Sequence, residues 1–204
     1  REVFDQCTET IIRQGGDIGR MVDEFSSFAR MPQPVMAERN LSDAIKEAVF
    51  LQEVAHPEIQ FTMHLPDSEL IGKFDHRLIS QALTNIVKNA TEGISAIPAE
   101  LNRPGQITVD AVQIGDNFTI NVTDNGIGLP KHNRNKLLEP YMTTREKGTG
   151  LGLAIVRKIF EEHGGGIELL DAPENADGEQ FGAMVRLTLP VTAVEIDAQE
   201  KEVV

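Results

Sequence analysis

The sequence predicts an α+β domain preceded by a helical arm. Three observations predict it. Residues 1–30 carry a helical apolar seam that stops at two closely spaced prolines. Residues 41–189 alternate between helical and strand periodicity, and a glycine-punctuated, basic stretch interrupts that alternation between Asp124 and Gly152. A chain of 204 residues has room for one ordinary domain and an appendage. Its 40% hydrophobic and 25% charged residues are globular proportions. With no Trp, the core falls mainly to Leu, Ile, Val, Ala and Met.

Within residues 1–30, Phe4, Cys7, Ile11, Ile18, Met21, Phe25 and Phe28 recur at heptad-like spacing, interrupted at Gln14. Gly15, Gly16 and Gly19 each weaken this helix by about 1 kcal/mol relative to Ala. The stripe either packs on the rest of the chain or belongs to a helical hairpin or dimer; Met31-Pro32-Gln33-Pro34 ends it and favours a domain boundary. The expected division is an arm over 1–31, a linker over 32–39, a domain over 40–190 and an acidic tail over 191–204. Leu41 to Val54 has helical periodicity, with Asn40 or Ser42 as N-cap. Gln60–Leu65 and Leu70–Phe74 read as strands. Asp75 caps a helix reaching about Ile94, with Leu78, Ile79, Ala82, Leu83, Ile86, Val87 and Ala90 on its apolar side. Ile107–Ile114 and Phe118–Val122 are strands joined at Gly115-Asp116-Asn117. A helix from about Leu151 to His163 ends at Gly164-Gly165-Gly166. Ile167–Leu170 and Ala183–Leu189 complete the sheet, and the tail from Ala193, with Glu195, Asp197, Glu200 and Glu202, is expected to be mobile.

The formal charge of −13 argues against nucleic acid or an anionic membrane surface as main partner. One segment reverses that field: Lys131, Arg134, Lys136, Arg145 and Lys147 stand against Glu139 and Glu146. Alone, such a run also describes a solvated loop. A single cysteine, Cys7, forms no internal disulfide and fits a reducing cytoplasm. No apolar run approaches the roughly 20 residues of a membrane span. The chain opens at Arg1-Glu2-Val3 in what reads as mid-helix, without a start methionine. A piece of a longer chain is therefore expected, with any membrane segments upstream.

Three segments carry chemistry. Asn85 and Asn89 lie four apart on one face of the long helix, beside its apolar side. A half-buried amide oxygen suits Mg²⁺, though an Asn pair is also a common structural device. Asp124-Asn125-Gly126-Ile127-Gly128 follows a strand; a carboxylate there can accept from the exocyclic amine of adenine, and its glycines admit a flat ring, but the same residues make an ordinary turn. Gly148-Thr149-Gly150-Leu151-Gly152 opens a helix and offers backbone N–H groups to an anion. It is neither a Walker loop nor a dinucleotide fingerprint.

Taken in order, Asn-x₃-Asn, Asp-x-Gly-x-Gly and Gly-x-Gly-x-Gly resemble the N, G1 and G2 boxes of the ATPase superfamily shared by gyrases, heat-shock chaperones, histidine kinases and mismatch-repair proteins. Tyr141-Met142-Thr143-Thr144-Arg145 resembles the histidine-kinase F box, with Tyr for Phe and Arg for Lys. The resemblance covers roughly residues 40–190. Asp23 to Pro32 is similar to the second helix of a dimerisation and phosphotransfer domain, most like that of NtrY-type nitrogen-regulation sensor kinases.

The resemblance implies a two-layer α/β sandwich with a mixed sheet and about three helices, the Bergerat-type ATP-binding fold. It implies ATP bound with Mg²⁺: Asp124 on the adenine amine, with Gly126, Ile127 and Gly128 beside it; Asn89 on the metal; Asn85 beside the phosphates. Gly148, Thr149, Gly150, Leu151 and Gly152 would meet the phosphates, with Tyr141, Thr144, Arg145 and Lys147 in a lid over 131–147. Hydrolysing members carry glutamate where Asn85 stands, so the amide implies ATP held intact for attack by a histidine. Glu92 departs from members with Lys there. The acceptor histidine, in a His-Glu-x-x-Asn-Pro setting, is absent; His56, His64, His76, His132 and His163 are expected on the surface or in loops, with His163 complementing a helix dipole. The implied partners are the chain's own phosphotransfer domain, a response regulator receiver domain and a second copy in a homodimer, at the cytoplasmic side of an inner-membrane sensor. An ATPase or serine kinase on the same pocket, and a docking module without nucleotide, are the competing readings.

Overall fold

The structure is a computed structural model. It describes Thr8, Gly15, Gly16, Gly19, Val22, Phe25, Ser26 and residues 30–101, 103–143, 149–174 and 180–192. Most of the expected arm seam and the whole acidic tail from Ala193 lie outside the described residues. The seven described residues before Arg30 are helical.

From residue 37 onward the elements are β1 (Ala37–Asn40), α1 (Leu41–Ala55), β2 (Gln60–His64), β3 (Ile71–Phe74), α2 (His76–Ser95), β4 (Gln106–Ile114), β5 (Asn117–Asp124), α3 (Gly152–Glu162), β6 (Gly166–Asp171) and β7 (Ala183–Pro190). Strand β1 was not indicated by periodicity. Its register is set by antiparallel pairing with β3, Ala37 opposite Phe74 and Asn40 opposite Ile71. The larger sheet runs β2-β4-β5-β7-β6. Its β2–β4 pair is parallel and the others antiparallel, so it is mixed as expected.

The helices cover one face of this sheet. Ile107, Val109 and Ala111 of β4, Phe118, Ile120 and Val122 of β5, and Val185, Leu187 and Leu189 of β7 point into the core against them. All seven residues assigned to the apolar side of the 76–95 helix are buried. Among the described residues no helix covers the opposite face, where polar residues mix with the exposed Val112 and Ile114. In register across all five strands lie His64, Asp110, Asn121, Arg186 and Glu168. His64 Nδ1 is 2.7 Å from Asp110, Arg186 Nε donates to Asn121 at 3.1 Å, and Arg186 pairs with Glu168 at 3.5 Å.

Local chemistry sets the element ends. Asn40 caps α1 by accepting from the Ser42 N–H at 3.0 Å, which decides between the two caps considered. Gly115, at φ 60°, and Asp116 form a two-residue turn of the glycine-first hairpin kind, with Asn117 already in the strand. Asp75 caps α2: its Oδ1 accepts from the Leu78 N–H at 3.1 Å. Its Oδ2 accepts from the Val35 N–H at 2.9 Å, tying the proline-rich segment to the domain.

His163 corrects an expectation. It is buried at 3% exposure rather than on the surface. Its Nε2 accepts from the Asp75 N–H at 3.0 Å, while Nδ1 donates to the Ile159 carbonyl at 2.7 Å. Those two bonds require the neutral ring protonated on Nδ1, so a charge–dipole role is replaced by a buried link between α3 and α2.

Burial pushes the His163 ring below its ordinary 6.5, against the Ile159 carbonyl, Asp75 and Glu162, which favour the cation. For Asp75, burial works upward, but the Val35 and Leu78 N–H groups with Arg77 outweigh it and hold the carboxyl below 3.8. Both folded-state values are depressed, so both contributions are present at neutral pH and lost on acidification. The His163 share starts to disappear as pH falls through 6.5, and the Asp75 share only below 3.8. The urea midpoint is expected to fall between about pH 8 and pH 5.5, with a shallower pH slope in a less stable His163→Gln variant. Identical slopes for the two proteins would contradict the neutral buried histidine.

Candidate functional site: a pocket between two helices and a glycine loop

Asn85, Asn89 and Gly93 stand on successive turns of one face of α2, the two asparagines half-buried. Gly93 is where the Asp124 loop docks. The Ile127 N–H donates to the Gly93 carbonyl at 3.1 Å. A Cβ on Gly126 would lie 2.6 Å from the Gly93 carbonyl carbon, so only glycine lets the two backbones touch. Asn89 is one turn away, about 6 Å along the axis. Asp124 closes β5, and its Oδ1 accepts from the Gly126 N–H at 2.8 Å. The carboxylate is thus oriented by its own loop.

Two further glycines wall the loop from the other side. Gly182 has φ 87°, and a Cβ there would lie 1.9 Å from the Asp124 carbonyl oxygen. Gly128, at φ 77°, has the Gly182 carbonyl 3.0 Å from its Cβ position. The sequence reading missed Gly93 and Gly182. A lone glycine inside a long apolar helix, and one just before the last strand, were the available signals.

Helix α3 packs along α2 and meets its N-terminus through His163. The two helices therefore run in opposite directions. That brings α3's first turn alongside the middle of α2, near Asn85, about 16 Å from the His163 end. Leu151 is fully buried and anchors that turn. Gly152 is different: among the described residues a Cβ on it meets nothing within 4 Å. Packing among the described residues does not demand glycine there, and the missing side chain leaves open space in front of the first-turn N–H groups of the helix.

Gly150, at φ 70°, would place a Cβ 2.6 Å from the Tyr141 carbonyl carbon, and its carbonyl accepts from the Tyr141 N–H at 3.1 Å. Tyr141 itself adopts φ 66°, unusual for a non-glycine residue. Its ring is 57% exposed and stacks on Phe25 of the arm, with centroids 6.5 Å apart. Thr149 Oγ1 lies 3.4 Å from the Leu151 N–H, which donates to it. Thr144, Arg145, Lys147 and Gly148 lie outside the described residues.

The cation-rich stretch needs one correction. Arg134 is not available to a ligand: its Nε donates to the Pro130 carbonyl at 2.8 Å, and its guanidinium pairs with Asp171 at the end of β6. Glu92, set aside above, pairs with Lys88 at 3.9 Å. Among the described residues no group of three or more His, Cys, Asp or Glu could hold a metal ion by itself.

Residues 74–193 match the family model for histidine kinase-, DNA gyrase B- and HSP90-like ATPases. The chain belongs to this family. Over 189 residues, 93% of its length, it is 60% identical to the nitrogen regulation protein NtrY of Azorhizobium caulinodans, of which it covers 24%. It is 32% identical over 203 residues, 99% of its length, to a sensor histidine kinase NtrY-like protein of Rickettsia conorii, covering 32% of that protein. The chain thus spans about a quarter to a third of the length of these relatives. The nucleotide-free catalytic domain of histidine kinase ThkA superposes with a TM-score of 0.64 at 29% identity, over 78% of this chain and 97% of that one. The two-layer sandwich of three helices on a mixed sheet is the histidine-kinase form of this ATPase fold.

Within this ATPase domain the glycines separate into two kinds. Gly182→Ala is expected to cost about 2–3 kcal/mol in urea denaturation, because strain at positive φ adds to a backbone clash. Gly152→Ala should remain within about 0.5 kcal/mol of wild type. Comparable losses in both variants would show that Gly152 is a packing residue after all.

Proposed function

We propose that this chain is the ATP-binding catalytic part of a sensor histidine kinase, holding Mg-ATP for transfer of its γ-phosphoryl group to a histidine elsewhere. One observation carries the reading. The loop bearing Asp124 is seated on the same face of α2 that bears Asn85 and Asn89, and the open N-terminus of α3 lies beside that face.

In this reading the Asp124 carboxylate accepts from the exocyclic amine of adenine. The backbone of Gly126, Ile127 and Gly128 lines the ring. The N–H groups at Gly150, Leu151 and Gly152, at the positive end of α3, receive the phosphates. Asn89 offers a neutral amide oxygen, a donor that suits a hard ion sharing most of its shell with water and phosphate. Bound there, Mg²⁺ would neutralise phosphate charge and fix the phosphate geometry. Asn85 has no useful basicity, so nothing at that position activates water, and ATP is kept for the histidine.

The histidines of this chain are placed elsewhere. His56, His64 and His76 pair with Glu58, Asp110 and Glu47, His132 is exposed, and His163 is committed to Asp75. The acceptor therefore comes from the phosphotransfer domain whose second helix the arm represents. A response regulator receives the group next, and the kinase acts as a homodimer on the cytoplasmic side of a membrane. Among the described residues no helix is long and apolar enough to cross a membrane.

Calorimetric titration with ADP tests the pocket. Wild type is expected to bind, and Asp124→Asn to lose about 10–100-fold in affinity, the size of a charged hydrogen bond. Binding that Asp124→Asn leaves intact would sink the assignment. Gly152→Ala should bind ADP more weakly while keeping its stability. With γ-labelled ATP, no stable label is expected on this chain until a protein carrying the acceptor helix is added; label on the chain alone would refute the division of roles.

A further inference from the structure

The Asp124 loop is also held from behind. The Asn125 N–H donates to the Gln106 carbonyl at 3.2 Å. Its Oδ1 accepts from the Gln106 N–H at 2.9 Å, and its Nδ2 donates to the Pro104 carbonyl at 2.8 Å. These bonds fix the loop to the start of β4. Arg103, just before that strand, adds a contact of another kind. Its Nη2 donates to the Gly126 carbonyl at 3.1 Å, and its guanidinium carbon lies 4.3 Å from the centre of the Phe181 ring.

Both partners adjoin Asp124. The peptide between Gly126 and Ile127 is gripped at its carbonyl by Arg103 and at its N–H by the Gly93 carbonyl. The Gly126 N–H in turn holds the Asp124 carboxylate. Phe181 precedes Gly182, whose backbone is pressed against the Asp124 carbonyl. One guanidinium thus bridges the two segments that flank Asp124. Among the described residues its buried Nε has no hydrogen-bond partner, a cost that an arginine free to swing into solvent would not bear. A guanidinium suits the place because its edge donates while its face stacks; an ammonium cannot do both in one geometry.

We infer that Arg103 is a positioning residue for base selection: by clamping Gly126 and Phe181 it sets the Asp124 carboxylate where an amine-bearing purine is preferred over one with a carbonyl at the same position. The inference rests on the reading of Asp124 as the adenine acceptor. Arg103 touches no reacting atom and acts through the loop.

The test compares ADP with inosine diphosphate, which carries a carbonyl in place of the adenine amine, in wild type, Arg103→Met, Arg103→Lys and Phe181→Leu. Thermal midpoints and hydrogen exchange of the Gly126 and Ile127 amides are followed in parallel. Arg103→Met is expected to lose about tenfold in ADP affinity, the scale of a charged hydrogen bond, with little change for inosine diphosphate, and to exchange both amides faster. Arg103→Lys should recover part of the preference. Phe181→Leu, which removes only the ring face, should shift it the same way by less, and keeps the test open if Arg103→Met does not fold. Equal losses for both nucleotides would reduce Arg103 to a structural role and overturn the inference. A wild-type preference that Arg103→Met leaves undiminished would refute Arg103 alone. A wild type without preference for ADP would refute the Asp124 reading, and base selection with it.

Discussion

The position of α2 depends on a buried polar junction at its N-cap, Asp75. The Asp75 side chain accepts from Leu78 and from Val35, and its backbone N–H is received by His163. Three parts of the chain meet there: the start of α2, the end of α3 and the segment leaving the prolines. Asp75 and His163 are buried and their polar groups have partners, so sliding one helix past the other would strand at least one of them. Everything proposed for the pocket is measured from this junction. Asn85, Asn89 and Gly93 are carried by α2, and Gly152 is carried by α3, which the same histidine holds in opposite direction.

Beyond that junction the pocket is built by backbone meeting backbone. Gly126 rests on Gly93, Gly182 on the Asp124 carbonyl, and Gly150 on Tyr141. Side chains at these positions would separate the segments by the width of a methyl group or more. Contact at this range lets backbone N–H and C=O groups be satisfied within the protein: Ile127 on Gly93, Tyr141 on Gly150. Gly152 falls outside this logic, and the space it leaves is the opening the proposed phosphates would use.

The open face of the sheet obeys a different constraint. Among the described residues no helix lies over it, and the row from His64 to Glu168 meets solvent with donors, acceptors and charges across all five strands. Exposed pairs of this kind add little stability individually. They keep this row polar without leaving like charges opposite one another.

The sequence by itself determined the helices, most of the strands and the identity of the three chemical segments. Periodicity, caps and turn residues act over a few neighbours, so Asp75, Gly115 and the apolar stripe of α2 could be read directly. It did not reveal β1, because four residues with partial burial have no periodic signal, and pairing with β3 alone makes them a strand. His163 looked like a surface residue at a helix end; only the approach of Asp75, 88 positions earlier in the chain, makes it a buried acceptor. Arg134 counted as a loop cation until Asp171 was found beside it. Gly93, Gly182 and Arg103 carried no motif, since what gives each its role is a backbone or ring brought close by the fold. Tertiary structure decided these because burial and contact between distant segments are properties of the packed chain, and no local window of residues contains them.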